Sequence, residues 1–190
     1  FSPNCRSHAI ECSDYWVQYL ESNGVTVSHA NIEHDKFPFE DNSFDVVIAN
    51  QIFEHTKEIF WIMHEITRIL PVGGRLIIGV PNLASLHNRL LLLAGKQPSS
   101  LKNTSAHIRG YTKEDVVRLF NDCFPGGYKL ISYAGSNFYP FPPFIATKLA
   151  KILPSMAWSI FFMLEKQKPY NSQFIDYPTK NQLETNFYVG

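Results

Sequence analysis

Two polar clusters in this chain combine groups able to move protons or hold anions. Asn50 and Gln51 close an apolar run, and Phe53, Glu54 and His55 follow at once. Farther on, His107 and Arg109 sit in a dense polar stretch, residues 107–112, just ahead of a helical pattern. An imidazole is neutral near physiological pH and can accept a proton. A guanidinium can grip a carboxylate or phosphate with two parallel hydrogen bonds. Two further groups close candidate strands. Glu11, followed by Cys12, offers an acceptor-only carboxylate suited to a vicinal diol. Asn31, Ile32 and Glu33 offer an amide acceptor, an apolar side chain able to cover a flat ring, and a second carboxylate. Each group also has a plainer structural use: a solvated rim charge, a turn asparagine, a helix cap, or a tie between loop and helix.

The elements that would carry these groups alternate between strand and helix. Strands are predicted over 8–11, 25–30, 44–49, 76–80, 128–134 and 159–165. Helices are predicted over 14–23, 57–70, 83–94, 113–120 and 145–153. Ser13 and Thr112 stand at N-cap positions, with Asp115 three residues after Thr112 in capping-box style. Asn23-Gly24, and Pro71 with Gly73-Gly74, stop the two helices they follow. Runs 44–49 and 76–80, each ending in a polar loop and joined by one helix, describe a right-handed βαβ unit. The fold class expected is α/β: a Rossmann-like doubly wound sheet, mostly parallel, with a C-terminal antiparallel hairpin. Ligands of such sheets sit at the carboxyl ends of the strands. After residue 166 the chain turns polar, and 167–190 reads as an irregular draped tail.

Bulk properties narrow the function. At 190 residues the chain suits one domain able to bury a core. Seventeen basic and seventeen acidic side chains cancel, which gives no electrostatic case for nucleic acid. The most apolar stretch, 145–164, is interrupted by Lys148, Lys151 and Pro154, so it supplies no clean transmembrane span of about 20 residues. Cys5, Cys12 and Cys123 are odd in number, lack metal-ligand spacing, and read as reduced thiols of a cytoplasmic protein.

The order of these residues resembles the second half of a class I S-adenosylmethionine-dependent methyltransferase domain. The resemblance rests on Glu11, on Asn31-Ile32-Glu33, on the strand ending at Asn50-Gln51, on Phe53-Glu54-His55, and on the run 73–82. It implies S-adenosylmethionine as cofactor, with Glu11 and Cys12 at the ribose, Asn31, Ile32 and Glu33 at the adenine, and Asn50 and Gln51 at the methionine end. It further implies methyl transfer to a small-molecule, sugar or lipid-precursor acceptor, most simply through oxygen. His107 is expected as general base, and His55, Asn82, Arg109 and Tyr139 as substrate-side residues. Phe53-Glu54-His55 is similar to a motif that some O-methyltransferases extend to Glu-x-x-Glu-His and use for a divalent metal. Here neutral Gln51 stands at the first acidic position, and no metal site is expected.

The family's Gly-rich loop should lie roughly 15–20 residues before Glu11, by analogy with dinucleotide folds. Only ten residues precede Glu11, none of them Gly. The first strand is therefore missing, and 1–166 reads as a partial methyltransferase domain. Two accounts stay open: a piece of a longer methyltransferase, or a binding or scaffolding relative that has lost its cofactor.

Overall fold

The computed structural model describes residues 5–183. Twelve regular elements alternate along them: β1 (His8–Glu11), α1 (Asp14–Ser22), β2 (Thr26–His29), β3 (Val46–Asn50), α2 (Ile59–Ile69), β4 (Arg75–Pro81), α3 (Leu86–Leu93), α4 (Lys113–Cys123), β5 (Tyr128–Ser136), α5 (Pro143–Ile152), β6 (Ser159–Lys166) and α6 (Gln173–Lys180).

The strands form two sheets. β1 and β2 pair in parallel, and β3-β4-β6-β5 make the larger sheet. Within it β3 and β4 run parallel, while β6 is antiparallel to both β4 and β5. This is the α/β architecture with a C-terminal antiparallel hairpin. The two sheets share no hydrogen-bonded ladder. β1 approaches the amino end of β3 through His8, whose ring meets Phe39 at 5.9 Å and Phe44 at 5.4 Å, both edge-on. On the outer edge of β3, Val46 and Ile48 remain exposed.

Alternation builds the core. Leu76, Ile78 and Val80 of β4 lie opposite Leu164, Phe162 and Ile160 of β6, and all six are buried. Helix α2 covers them with Ile59, Ile62, Met63, Ile66 and Ile69, the spacing of one helical face. Lys166 continues the inward set of β6 and is 2% exposed. Its ammonium donates to Thr67 O at 2.8 Å and Leu70 O at 2.6 Å, the orphan carbonyls at the end of α2, where a cation also suits the helix dipole. Burial nonetheless lowers the Lys166 pKa.

Predicted and observed elements differ mainly at the C-terminus. Residues expected to trail irregularly include α6, which packs on α2 and α4. Phe174 is fully buried and meets Phe120 and Phe124 edge-on. Truncating such a side chain costs about 3–5 kcal/mol. At α4 the expected capping box forms as read, with Thr112 and Asp115 bonding each other's backbone amides. Ser13 holds the N-cap position of α1 but makes no side-chain cap bond. No helix among the described residues is long and apolar enough to cross a membrane.

Candidate functional site

The loops after β1, β2 and β3 open at one edge of the molecule. His8 and Phe44 touch at the amino ends of β1 and β3, so Glu11 and Asn50 close the two strands at the same, opposite end. The loop after β2 is tied to that edge by Glu33. Its carboxylate accepts from the backbone amides of Lys57 and Glu58, the second of these at 3.1 Å. A carboxylate on the free amides of a helix start is favourable electrostatically, so Glu33 joins the loop after β2 to the first turn of α2.

The cofactor-side residues are placed as follows. Glu11 is half-buried, and its Oε1 accepts from the amides of Cys12 at 2.9 Å and Ser13 at 2.8 Å. Those bonds orient the carboxylate, and Oε2 takes no hydrogen bond from the described residues. Cys12 is exposed. Asn31 Oδ1 accepts from the Glu33 amide at 3.0 Å, an Asx turn, and the Asn31 amide donates to Asp35 Oδ2 at 2.7 Å. Ile32 is half-buried against the core. Asn50 lies exposed at the end of β3 beside Gly79 of β4. Gln51 next to it holds a left-handed backbone with φ of 56°, and its amide donates to Gly79 O at 2.8 Å. A non-glycine residue in that region is uncommon and marks a position worth attention.

The second wall comes from residues 106–111, which are stapled to the 3-10 turn Phe53–His55. The amides of Ile108 and Arg109 donate to Glu54 O at 2.8 and 3.3 Å, and the Tyr111 hydroxyl donates to Phe53 O at 3.2 Å. Arg109 fastens the same loop: its guanidinium donates to Thr56 O at 3.1 Å and Lys57 O at 2.6 Å. Two of its five N–H donors are thus committed to main-chain carbonyls, so Arg109 ties the loop.

The stapling sets His107 against His55, ring centroids 4.7 Å apart and nearly perpendicular. The Nδ1 of His107 lies 3.0 Å from Ser100 O, and that of His55 lies 3.3 Å from Ala106 O. A carbonyl oxygen only accepts, so both Nδ1 atoms carry the proton and a neutral ring presents a bare Nε2. Beneath them Glu54 is 1% exposed, and neither carboxylate oxygen has a hydrogen-bond partner among the described residues. His55 Nε2 is 4.0 Å from Glu54 Oε1. Burial raises the Glu54 pKa, while its own backbone amide and the nearby imidazoles of His55 and His107 pull the other way.

Two further substrate-side residues, Asn82 and Tyr139, are placed as follows. Asn82 is 1% exposed, and its side chain is consumed internally. Its Nδ2 donates to Ser155 O at 2.9 Å and Ala157 O at 2.8 Å, and its Oδ1 accepts from the Ala84 amide at 2.9 Å. Asn82 therefore locks the turn after β4 and touches no open face. Tyr139 is half exposed and packs against His87 and Trp158, away from the histidine pair in its contacts. Sequence reasoning placed Glu54 in the Phe53-Glu54-His55 motif, with a helix cap as its plainer use. Its inward burial depends on a loop some fifty residues later, which no local pattern reports.

A family model described as a methyltransferase domain matches residues 2–78. An uncharacterized protein of Escherichia coli K12, YafE, is 32% identical over 88 residues, covering 46% of this chain and 41% of YafE. The alignment thus spans less than half of that relative's length. Among solved structures, a SAM-dependent methyltransferase of Thermotoga maritima superposes with TM-score 0.61 at 19% identity, covering 85% of this chain and 73% of that one. The cyclase SpnF superposes at 0.55 with 15% identity, over 85% of this chain and 67% of that one. At such identities the structures report a shared fold, and chemistry has to be argued from the site.

Proposed function

We propose that the chain carries a class I S-adenosylmethionine-dependent methyltransferase domain and takes part in methyl transfer from that cofactor to an oxygen of a small-molecule acceptor. The single observation that carries the reading is the Glu33 bridge to the amides of Lys57 and Glu58, which draws the loops after β2 and β3 to one edge.

The donor set along that edge suits the cofactor. Glu11 keeps one carboxylate oxygen open for a ribose diol. Ile32 offers an apolar face, and Asn50 with the left-handed Gln51 presents polar side chains at the end of β3. When bound, S-adenosylmethionine supplies a methyl group already activated by its sulfonium, so the protein's work is alignment and exclusion of water. An oxygen acceptor must shed a proton as it reacts, and His107 is the base: its Nδ1 is held by Ser100 O, which leaves Nε2 free to take the proton. His55, packed edge-on against it, is the second imidazole available on the acceptor side in this reading. The balanced charge of the chain fits a small metabolite, sugar or lipid precursor better than a nucleic acid.

Calorimetric titration of the chain with S-adenosylhomocysteine tests the reading. One saturable site is expected, weakened at least tenfold by Glu11→Ala. No saturable site, or one indifferent to Glu11→Ala and Asn50→Ala alike, overturns it.

A further inference from the structure

A buried carboxylate with no hydrogen-bond partner, facing two imidazoles whose outer nitrogens are already spoken for, needs a cation to complete it. We propose that Glu54, His55 and His107 form a binding site for one divalent transition-metal ion of the zinc type, distinct from the cofactor edge and competing with the part of His107 as base.

One ligand atom from each of the three residues lies within 4.8 Å of the other two. The arrangement has the features of a ligand set. Both histidines donate Nδ1–H to a backbone carbonyl, Ser100 O and Ala106 O, which fixes the ring and aims the Nε2 lone pair outward from that bond. Metal-bound histidines are held in just this way by their outer nitrogen. Glu54 is 1% exposed with both oxygens unpartnered, and at 4.0 Å from His55 Nε2 it is too far for a hydrogen bond. Two imidazoles and one carboxylate form a three-ligand zinc set that leaves a coordination position open. Nitrogen donors disfavour Mg2+ and Ca2+, which take oxygen.

Access and fastening also fit. His55 is 44% exposed at the side chain, which gives the ion a path in, while Glu54 forms the floor. The hydrogen bonds from Ile108 and Arg109 to Glu54 O hold the His107 loop against the turn carrying the other two ligands. Gln51, exposed and outside the cluster, takes no part, so the third ligand comes from a distant loop rather than from the preceding turn. Loading the site would occupy the Nε2 of His107. Proton uptake by that atom and metal binding therefore exclude each other.

The experiment is zinc titration by calorimetry, with Co2+ absorption in parallel, on tag-free protein carrying Cys5→Ser and Cys12→Ser so that exposed thiols cannot compete. One Zn2+ per chain is expected, with affinity falling at least a hundredfold in Glu54→Gln and in His107→Gln. Zn2+ should raise the melting temperature of the parent and leave that of Glu54→Gln unchanged. Glu54→Gln removes a buried charge at constant shape, so its metal-free form should melt no lower than the parent, which separates lost metal binding from lost folding. Absence of a stoichiometric site, or binding that both variants retain, overturns the proposal. Neither result bears on S-adenosylhomocysteine binding, which is read separately.

Discussion

Asn50 and Gly79 are paired across β3 and β4, and the Asn50 side-chain oxygen fills the volume that a Cβ on residue 79 would need. The ring of Phe161 on β6 crowds the same point from the other side. Glycine at 79 is therefore what lets a polar side chain fold back over the end of the sheet.

Gly79→Ala should displace Asn50 toward solvent and loosen the turn at Gln51, whose amide bonds Gly79 O. Overpacking of this kind costs about 1–3 kcal/mol. We expect a modest loss in urea unfolding, together with at least tenfold weaker binding of S-adenosylhomocysteine. Unchanged binding in a destabilised variant would separate Asn50 from the cofactor.

Arg68 anchors the loop that leads into β3. Its guanidinium donates to both Glu65 oxygens, at 2.9 and 2.6 Å, to Phe39 O and Phe37 O, and to Asp41 Oδ1. Glu65 is 1% exposed and also accepts from the Phe37 amide at 2.7 Å. Removing one partner of a buried pair strands the other, a loss of about 3–5 kcal/mol. Arg68→Ala should fall in that range in denaturant unfolding, and Arg68→Lys, which cannot reproduce the forked contacts, should recover less than half of it.

Cys123 differs from the other two thiols. It is buried in α4, and burial pushes its pKa up to about 12, whereas Cys5 and Cys12 are exposed. At pH 8 a thiol reagent should modify two cysteines at once and the third only as fast as the protein opens. The raised value also has a stability consequence. A thiol that ionises at higher pH when folded favours folding below its ordinary pKa of 9.0, and that contribution fades as pH rises from there toward about 12. Tyr111 and Tyr128, both raised by burial, act in the same direction above their ordinary value of 10.0. Lys166, whose pKa burial lowers, acts the opposite way below its ordinary value of 10.5, so the check is a difference: above pH 9 the melting temperature of Cys123→Ala should fall less steeply than that of the parent.

What could be read in advance was local. The Thr112 cap, the alternating run of β4 and the apolar stripe of α2 each announce themselves within a dozen residues. α6 did not, because Pro178 interrupts it and its anchor, Phe174, earns a place only through Phe120 and Phe124 in a different part of the chain. Asn82 looked like a ligand group because an asparagine after a strand offers the same atoms to a substrate and to a turn, and only the closure of residues 155–157 over it decides. Arg109 was ambiguous for the same reason, and the carbonyls of Thr56 and Lys57 take its donors. The pairing of His55 with His107 lay beyond any periodicity.

The smaller sheet carries its own consequence. α1 buries none of its residues, and among the described residues β1 and β2 pair with no other strand. Few apolar contacts hold this unit down, so its amides should exchange with solvent through a local opening well below the free energy of the β4–β6 core. Glu11 rides on it, and Glu33 latches it to α2. A molecule that grips Glu11 and Asn50 together would slow that exchange, and its apparent affinity would be discounted by the fraction of time the latch stands open.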